Sequence, residues 1–162
     1  MNIRNFTEDD RQRLEEIAIR AFSKWTRLAL DKSLPVEKNE DYFRREASWY
    51  VNLAMNSSDN LGILVAEESD KPIGYIVVGI DKGRSEIYGF VWGHIVSLAV
   101  DPDYHGKGTG SALIASGLDW LRDKKVKYVE VLTDQNNIAA IRAYENNNFR
   151  VVYSSITLSQ YL

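Results

Sequence analysis

The sequence has no cysteine, only two histidines and only three prolines in 162 residues. Without a thiol there is no disulfide framework, no thiolate metal site and no cysteine acyl-enzyme. Two imidazoles are too few for a histidine-rich metal centre, so no metal is expected. No apolar run approaches the roughly 18 residues that a membrane helix needs. The opening stretch MNIRNFTEDD lacks the apolar centre of a secretory leader. These absences lead us to expect a cytoplasmic protein without membrane contact. Positive charge is not in excess either. Twenty Lys and Arg against 23 Asp and Glu give a net charge of −3, which argues against a general nucleic-acid surface.

What is present suits one packed domain. Hydrophobic residues make up 44% of the chain and charged residues 27%, enough to bury a core and keep a solvated surface. No repeat, low-complexity tract or linker interrupts residues 1–162, which are read as a single domain. Ile3 to Phe6 reads as a short strand. Thr7 then caps a helix, with Asp10 as the capping-box partner, and Leu14, Ile17, Ala18, Ala21 and Phe22 recur at helical spacing. Pro35 breaks the chain, and a second helix is expected over Asn39 to Met55. The period then changes to two. Strands are expected at Leu61–Glu67, Ile73–Ile80 and Ile87–Val100, joined by short turns and therefore antiparallel.

The sequence is organised around His94 to Ser111. Ile95 to Val100 is an apolar run rich in β-branched residues, and Asp101-Pro102-Asp103 stops it. Gly106, Gly108 and Gly110 alternate ahead of a helix whose apolar face carries Leu113, Ile114, Gly117, Leu118 and Leu121. Alternating glycines let the backbone approach a ligand closely. First-turn amides have no partner inside the helix, so such a loop can cradle phosphate. The spacing fits neither a Walker loop nor a dinucleotide-binding fingerprint. A strand at Tyr128–Thr133 follows, and strand–helix–strand requires a parallel crossover. A helix over Asn137–Asn146 comes next, with Asn148 placed to take a left-handed conformation at its end. Phe149–Ser154 and Ile156–Gln160 are expected to close the sheet.

Two motifs carry a resemblance. One is V-x-P-x-Y-x-G-x-G-x-G, ending at Gly110; the other is N-x-x-A-x-x-x-Y-E-x-x-x-F, from Asn137 through Ala140, Tyr144 and Glu145 to Phe149. With the order β-αα-βββ-α-β-α-ββ, they resemble the GNAT superfamily of N-acetyltransferases from end to end. The sequence departs from the usual pattern at His105, where Arg or Gln is common, and at Ala143, Asn146 and Asn148. The resemblance implies an α/β (α+β) fold with a mixed, mostly antiparallel sheet and one parallel crossover at splayed central strands. It implies transfer of acetyl from acetyl-CoA to a primary amine, on a small molecule or a peptide, by direct attack in a ternary complex. A protein of this fold that holds CoA as a sensor without turnover is the alternative. Pairing of two copies through their sheets is compatible with the resemblance.

The resemblance also implies site residues. The pyrophosphate would lie on His105, Gly106, Lys107, Gly108, Thr109, Gly110 and Ser111, with the backbone amides of Gly106 to Ser111 as the main grip. Lys107 either pairs with a phosphate oxygen or points to water. Leu98, Ala99 and Val100 would offer backbone groups to the pantetheine arm, and Asn137 would contact that arm. Tyr144 is either a core aromatic or the acid that protonates the leaving thiolate. An attacking ammonium must first lose a proton. His94 is either the base that takes it or a neutral histidine bonded within the sheet, and Glu130 is the second candidate base. Trp25, Tyr42, Trp49 and Tyr50 fall in the region that walls the acceptor pocket in this superfamily.

Overall fold

The computed structural model describes residues 1–22, 45, 48, 49, 52 and 60–154. Their elements run β1 (Asn2–Asn5), α1 (Arg11–Phe22), β2 (Leu61–Glu68), β3 (Lys71–Asp81), α2 (Lys82–Tyr88), β4 (Trp92–Val100), α3 (Thr109–Asp123), β5 (Tyr128–Val131) and α4 (Ile138–Glu145). The strands lie in chain order in one five-stranded sheet. Every neighbouring pair is antiparallel except β4 and β5, which are parallel and joined through α3. This is the mixed sheet that the sequence implies.

Each face of the sheet carries its own core. Leu14, Ile17 and Ala18 of α1 pack on Ile63, Val65, Tyr75, Val77 and Ala99. On the other face Leu113, Ile114 and Leu121 of α3, with Tyr144 of α4, pack on Leu64, Ile76, Val78 and Ile95. The two periods explain the division. Helical spacing in α1 and α3 builds one apolar stripe each, and strand alternation sends successive residues to opposite faces.

The helix starts and stops also follow from the chemistry of single residues. Asp10 accepts the Thr7 N–H at 2.8 Å and the Thr7 hydroxyl at 3.1 Å, as a capping partner should. Ser69 and Asp70 both take positive φ, 51° and 59°, the two-residue turn whose twist suits a hairpin. Asn148 takes φ of 66°, and Phe149 N–H then bonds back to the Tyr144 carbonyl at 3.1 Å, closing α4 as expected.

Three expectations are corrected. Residues 82–88 form the helix α2, so the central strand begins at Trp92 and not at Ile87. Asp81 caps that helix by accepting the Arg84 N–H at 2.9 Å, and Gly89 ends it. Residues 150–154 form no strand and are exposed. Their β-branched composition suits a pleated, half-covered surface, and none of the described strands pairs with them. Strand β5 stops at Val131, two residues short of the expected Thr133. The helix expected over Asn39–Met55 and the strand over Ile156–Gln160 lie outside the described residues, apart from residues 45, 48, 49 and 52. Trp25, Tyr42 and Tyr50 lie outside them too.

Candidate active site

The site is made by the parting of two strands. The parallel ladder pairs Trp92 with Tyr128, Gly93 with Val129, His94 with Glu130 and Ile95 with Val131, and goes no further. Strand β4 runs on to Val100, five residues past the last pair. Immediately after that pair, the β3–β4 register slips at Val77/Val78, because Val77 opposes Ser97 while Val78 opposes Ile95. Val96 is therefore the extra residue of a bulge in β4, and bulges bend and re-aim a strand.

The open edge of β4 follows from the alternation of an antiparallel ladder. Asp101 N–H bonds to the Ile73 carbonyl on β3 at 2.8 Å. Ala99, two residues earlier, therefore also turns its backbone groups toward β3. Leu98 and Val100 turn theirs to the side β5 has left. Of the three residues assigned backbone contacts from sequence, two face the gap. Ala99 does not: its side chain is buried and its amide is spent within the sheet.

Beyond β4 the chain turns through Pro102–Tyr104 into the glycine loop. Gly106 and Gly108 take φ of 75° and 81°, and a Cβ on either would meet nothing within 4 Å. The loop is thus a left-handed, open backbone surface, the conformation that favours glycine. Gly108 caps α3 without a side chain, leaving the first-turn amides of Thr109, Gly110 and Ser111 without intrahelical acceptors. Lys107 leans over Tyr104, its Nζ 4.7 Å from the ring centroid. The His105 Nε2–H donates to the Val100 carbonyl at 2.9 Å, so that imidazole folds back and ties the loop to β4. Asn137 caps α4, its Oδ1 accepting from Ala140 N–H at 3.3 Å. That leaves its amide NH₂ for any further partner.

His94 and Glu130 line one cavity of about 220 Å³ with Asp81, Arg84, Ile95, Val131 and Leu132. His94 has room because its cross-strand partner is Gly79, where a Cβ would come within 3.1 Å of His94 Nε2. Burial lowers the His94 pKa from its ordinary 6.5; nearby Asp81 pushes it up and Arg84 pushes it down. Glu130 is ion-paired with Arg84. Tyr144 is not among the residues that line this cavity. It lies in the core on the α3 face, edge-on to Phe149 with centroids 5.6 Å apart, and burial raises its pKa to about 12. His94 and Tyr144 therefore stand on opposite faces of the sheet, and the gap between β4 and β5 lies between those faces. Among the described residues no group of three or more His, Asp or Glu could hold a metal ion.

Sequence reasoning missed two features. Arg84 falls between the strands expected at Ile73–Ile80 and Ile87–Val100, where only a short turn is expected, and it lies instead in a short helix that Asp81 and Gly89 bound. Asp101 was read only as a strand stop. It is fully buried, pairs with Arg13, and accepts from Arg20 Nη1 at 2.8 Å, so α1 is fastened to the root of the glycine loop. No signal of local spacing could reveal contacts across 88 and 81 residues.

A split parallel pair with a glycine loop at its mouth is the arrangement that the resemblance implies, and the family comparison agrees. The Acetyltransferase (GNAT) family matches residues 13–149, and the chain belongs to it. It is 29% identical over 141 residues to a mycothiol acetyltransferase of Saccharopolyspora erythraea, covering 82% of this chain and 43% of that protein. It is 26% identical over 147 residues to an uncharacterised N-acetyltransferase of Methanocaldococcus jannaschii, covering 91% and 59%. The chain thus spans about half the length of the curated relatives it matches. In fold it is similar to a PaiA N-acetyltransferase from Thermoplasma acidophilum solved in complex with coenzyme A, with a TM-score of 0.74, 21% identity and 95% and 92% of the two chains covered. No helix among the described residues is long and apolar enough to cross a membrane.

Proposed function

We propose that this acetyltransferase moves the acetyl group of acetyl-CoA onto a primary amine by direct attack. The observation that carries the reading is the end of the β4–β5 ladder at Ile95–Val131, one step after His94–Glu130 and beside the open glycine loop. The diphosphate would rest on the bare amides from Gly106 to Ser111, with Lys107 free to leave Tyr104 for a phosphate oxygen. The pantetheine arm would add to the open edge through Leu98 and Val100, with the Asn137 amide along its side. The acetyl thioester then lies in the gap between the two faces.

The division of labour follows from the two shifted groups. His94, neutral at pH 7 because its pKa is lowered, can take the proton that the ammonium must lose before it attacks. Tyr144, held protonated up to about pH 12, can give a proton to the departing thiolate sulfur from the other face. Glu130 faces a cation, Arg84, and a carboxylate held by a positive charge is the poorer base, so the base role goes to His94. Backbone N–H groups at the open edge would receive the developing oxyanion. Holding the amine and thioester together supplies up to ~7–11 kcal/mol of the barrier reduction at ideal alignment.

The test is a calorimetric titration with CoA followed by an amine panel with acetyl-CoA, reading free thiol. Binding with amine-dependent thiol release is expected. Binding without release from any amine would favour a CoA-holding sensor, and absence of binding would end the proposal.

A further inference from the structure

The cavity beside His94 already holds a cation, and the chain itself supplies it. Arg84 rises from the first turn of α2. Its Nε lies 3.6 Å from the Asp81 carboxylate, Nη1 pairs with Glu130, and Cζ sits 5.4 Å from the centroid of the Trp92 ring. Two carboxylates and an aromatic face are an environment that receives an organic cation. Trp92 and Tyr128, cross-strand partners whose rings lie 4.3 Å apart, and Tyr88, stacked at 4.8 Å, continue the aromatic surface from the same corner of the sheet.

Resting on the acetyl-transfer reading, we propose that the acceptor is an amine bearing a second positive charge, and that Arg84 is a specificity-determining residue standing in for that charge until the acceptor displaces it. The argument is first one of charge. With His94 neutral, Asp81 and Glu130 against Arg84 leave the cavity one negative charge. When Arg84 swings out, two remain, and the reacting nitrogen must be neutral to attack. Only a charge elsewhere on the acceptor can then satisfy the carboxylates. An anionic acceptor would meet a guanidinium already shared between two carboxylates and a net negative field.

Displacement is cheap as well. The Arg84 side chain is 41% exposed, and exposed ion pairs are weak. The helix does not depend on the guanidinium, because its cap is the bond from the Arg84 backbone N–H to Asp81. Carbon chains between two ammonium groups can lie on the Trp92–Tyr128 surface, as alkyl stems do on apolar walls.

The experiment compares cadaverine, a five-carbon diamine, with pentylamine by calorimetry near neutral pH, on free and CoA-saturated protein. The wild type should bind the diamine at least about tenfold more tightly. Glu130→Gln, and independently Asp81→Asn, which keeps an oxygen for the cap, should shrink that gap to about threefold or less. Arg84→Gln should widen it. Equal affinities in the wild type, a gap untouched by both carboxylate variants, or weaker diamine binding in Arg84→Gln would each overturn the proposal. Binding is read without turnover. Acetylation of pentylamine with no diamine preference would therefore sink this inference alone, and diamine preference without thiol release would sink the reading it rests on.

Discussion

His94 and Glu130 are register partners across the only parallel pair of the described sheet, and they share one cavity. Glu130 is tied to Arg84, whereas the His94 imidazole makes no hydrogen bond among the described residues. Among the described residues of that cavity, His94 is therefore the titratable side chain left without an ion pair or hydrogen bond. Burial lowers its pKa below 6.5, so the neutral imidazole persists to more acid pH than an ordinary histidine. The acid limb of kcat/KM should bend below pH 6.5. His94→Gln should lower kcat about 10²–10⁴-fold and abolish that limb. A retained limb of the same shape would assign it to another group.

Tyr144 lies in the core on the α3 face, and a proton-donating role can be separated from packing. Tyr144→Phe keeps the ring and its edge contact with Phe149 and removes only the hydroxyl. We expect kcat to fall roughly 10²-fold, CoA affinity to stay within about threefold and the melting temperature to hold. Because burial puts this phenol near 12, the wild-type profile should show no basic limb from Tyr144 between pH 7 and 10. Unchanged turnover in the phenylalanine variant would leave Tyr144 as a core aromatic.

Much of this site was legible in the sequence, for local reasons. The glycine loop and the left-handed Asn148 are each set by one or two residues with special backbone chemistry, whereas the capping role of Asn137 emerges only in the structure. The order of strands followed from short turns and one helical crossover. Helix α2 was not legible, because Gly83 weakens a helix while Ile87 and Tyr88 imitate a strand start; Ile87 is in fact 76% exposed. The alternation that sets Leu98 and Val100 apart from Ala99 depends on the register against β3. No single-strand pattern carries that. The Asp101 cluster is a matter of tertiary placement altogether.

The glycine loop allows a paired comparison. Gly108 sits at φ of 81°, and Gly110 is not in the left-handed region. A methyl at Gly110 would stand 3.9 Å from Val100 Cγ2, ordinary contact. Gly108→Ala should cost about 1–2 kcal/mol of stability, the penalty of forcing a Cβ into that conformation, and weaken CoA binding by shifting the cradle. Gly110→Ala should leave stability within about 0.5 kcal/mol. Its effect on CoA affinity then measures close approach of the ligand rather than strain. Equal stabilities for the two variants would show that the positive φ at Gly108 is not required.

Asp101 joins stability to the site, and it can be tested by charge and by pH. Burial alone would raise its carboxyl; the Asp103 N–H and the guanidiniums of Arg13 and Arg20 overcome this and hold it below the usual range. Arg13 is mostly covered, whereas Arg20 is 42% exposed. Removing the shared carboxylate should therefore cost far more than removing the outer arginine. Asp101→Asn preserves an acceptor for Asp103 N–H but takes the charged partner from Nη2 of Arg13, whose Nη1 and Nε keep their bonds to Glu16 and the Pro72 carbonyl, and should lose about 2–4 kcal/mol. Arg20→Ala should lose no more than about 1 kcal/mol. A carboxyl depressed on folding contributes stability that is complete above its unfolded value, 3.8, and is lost as pH falls through the folded value. Wild-type stability should thus decline below pH 3.8, and Asp101→Asn should decline less steeply over that window. Because Asp101 fastens α1 to the root of the glycine loop, the same variant should bind CoA more weakly at neutral pH even where it is fully folded. Full CoA affinity in folded Asp101→Asn would confine this cluster to stability.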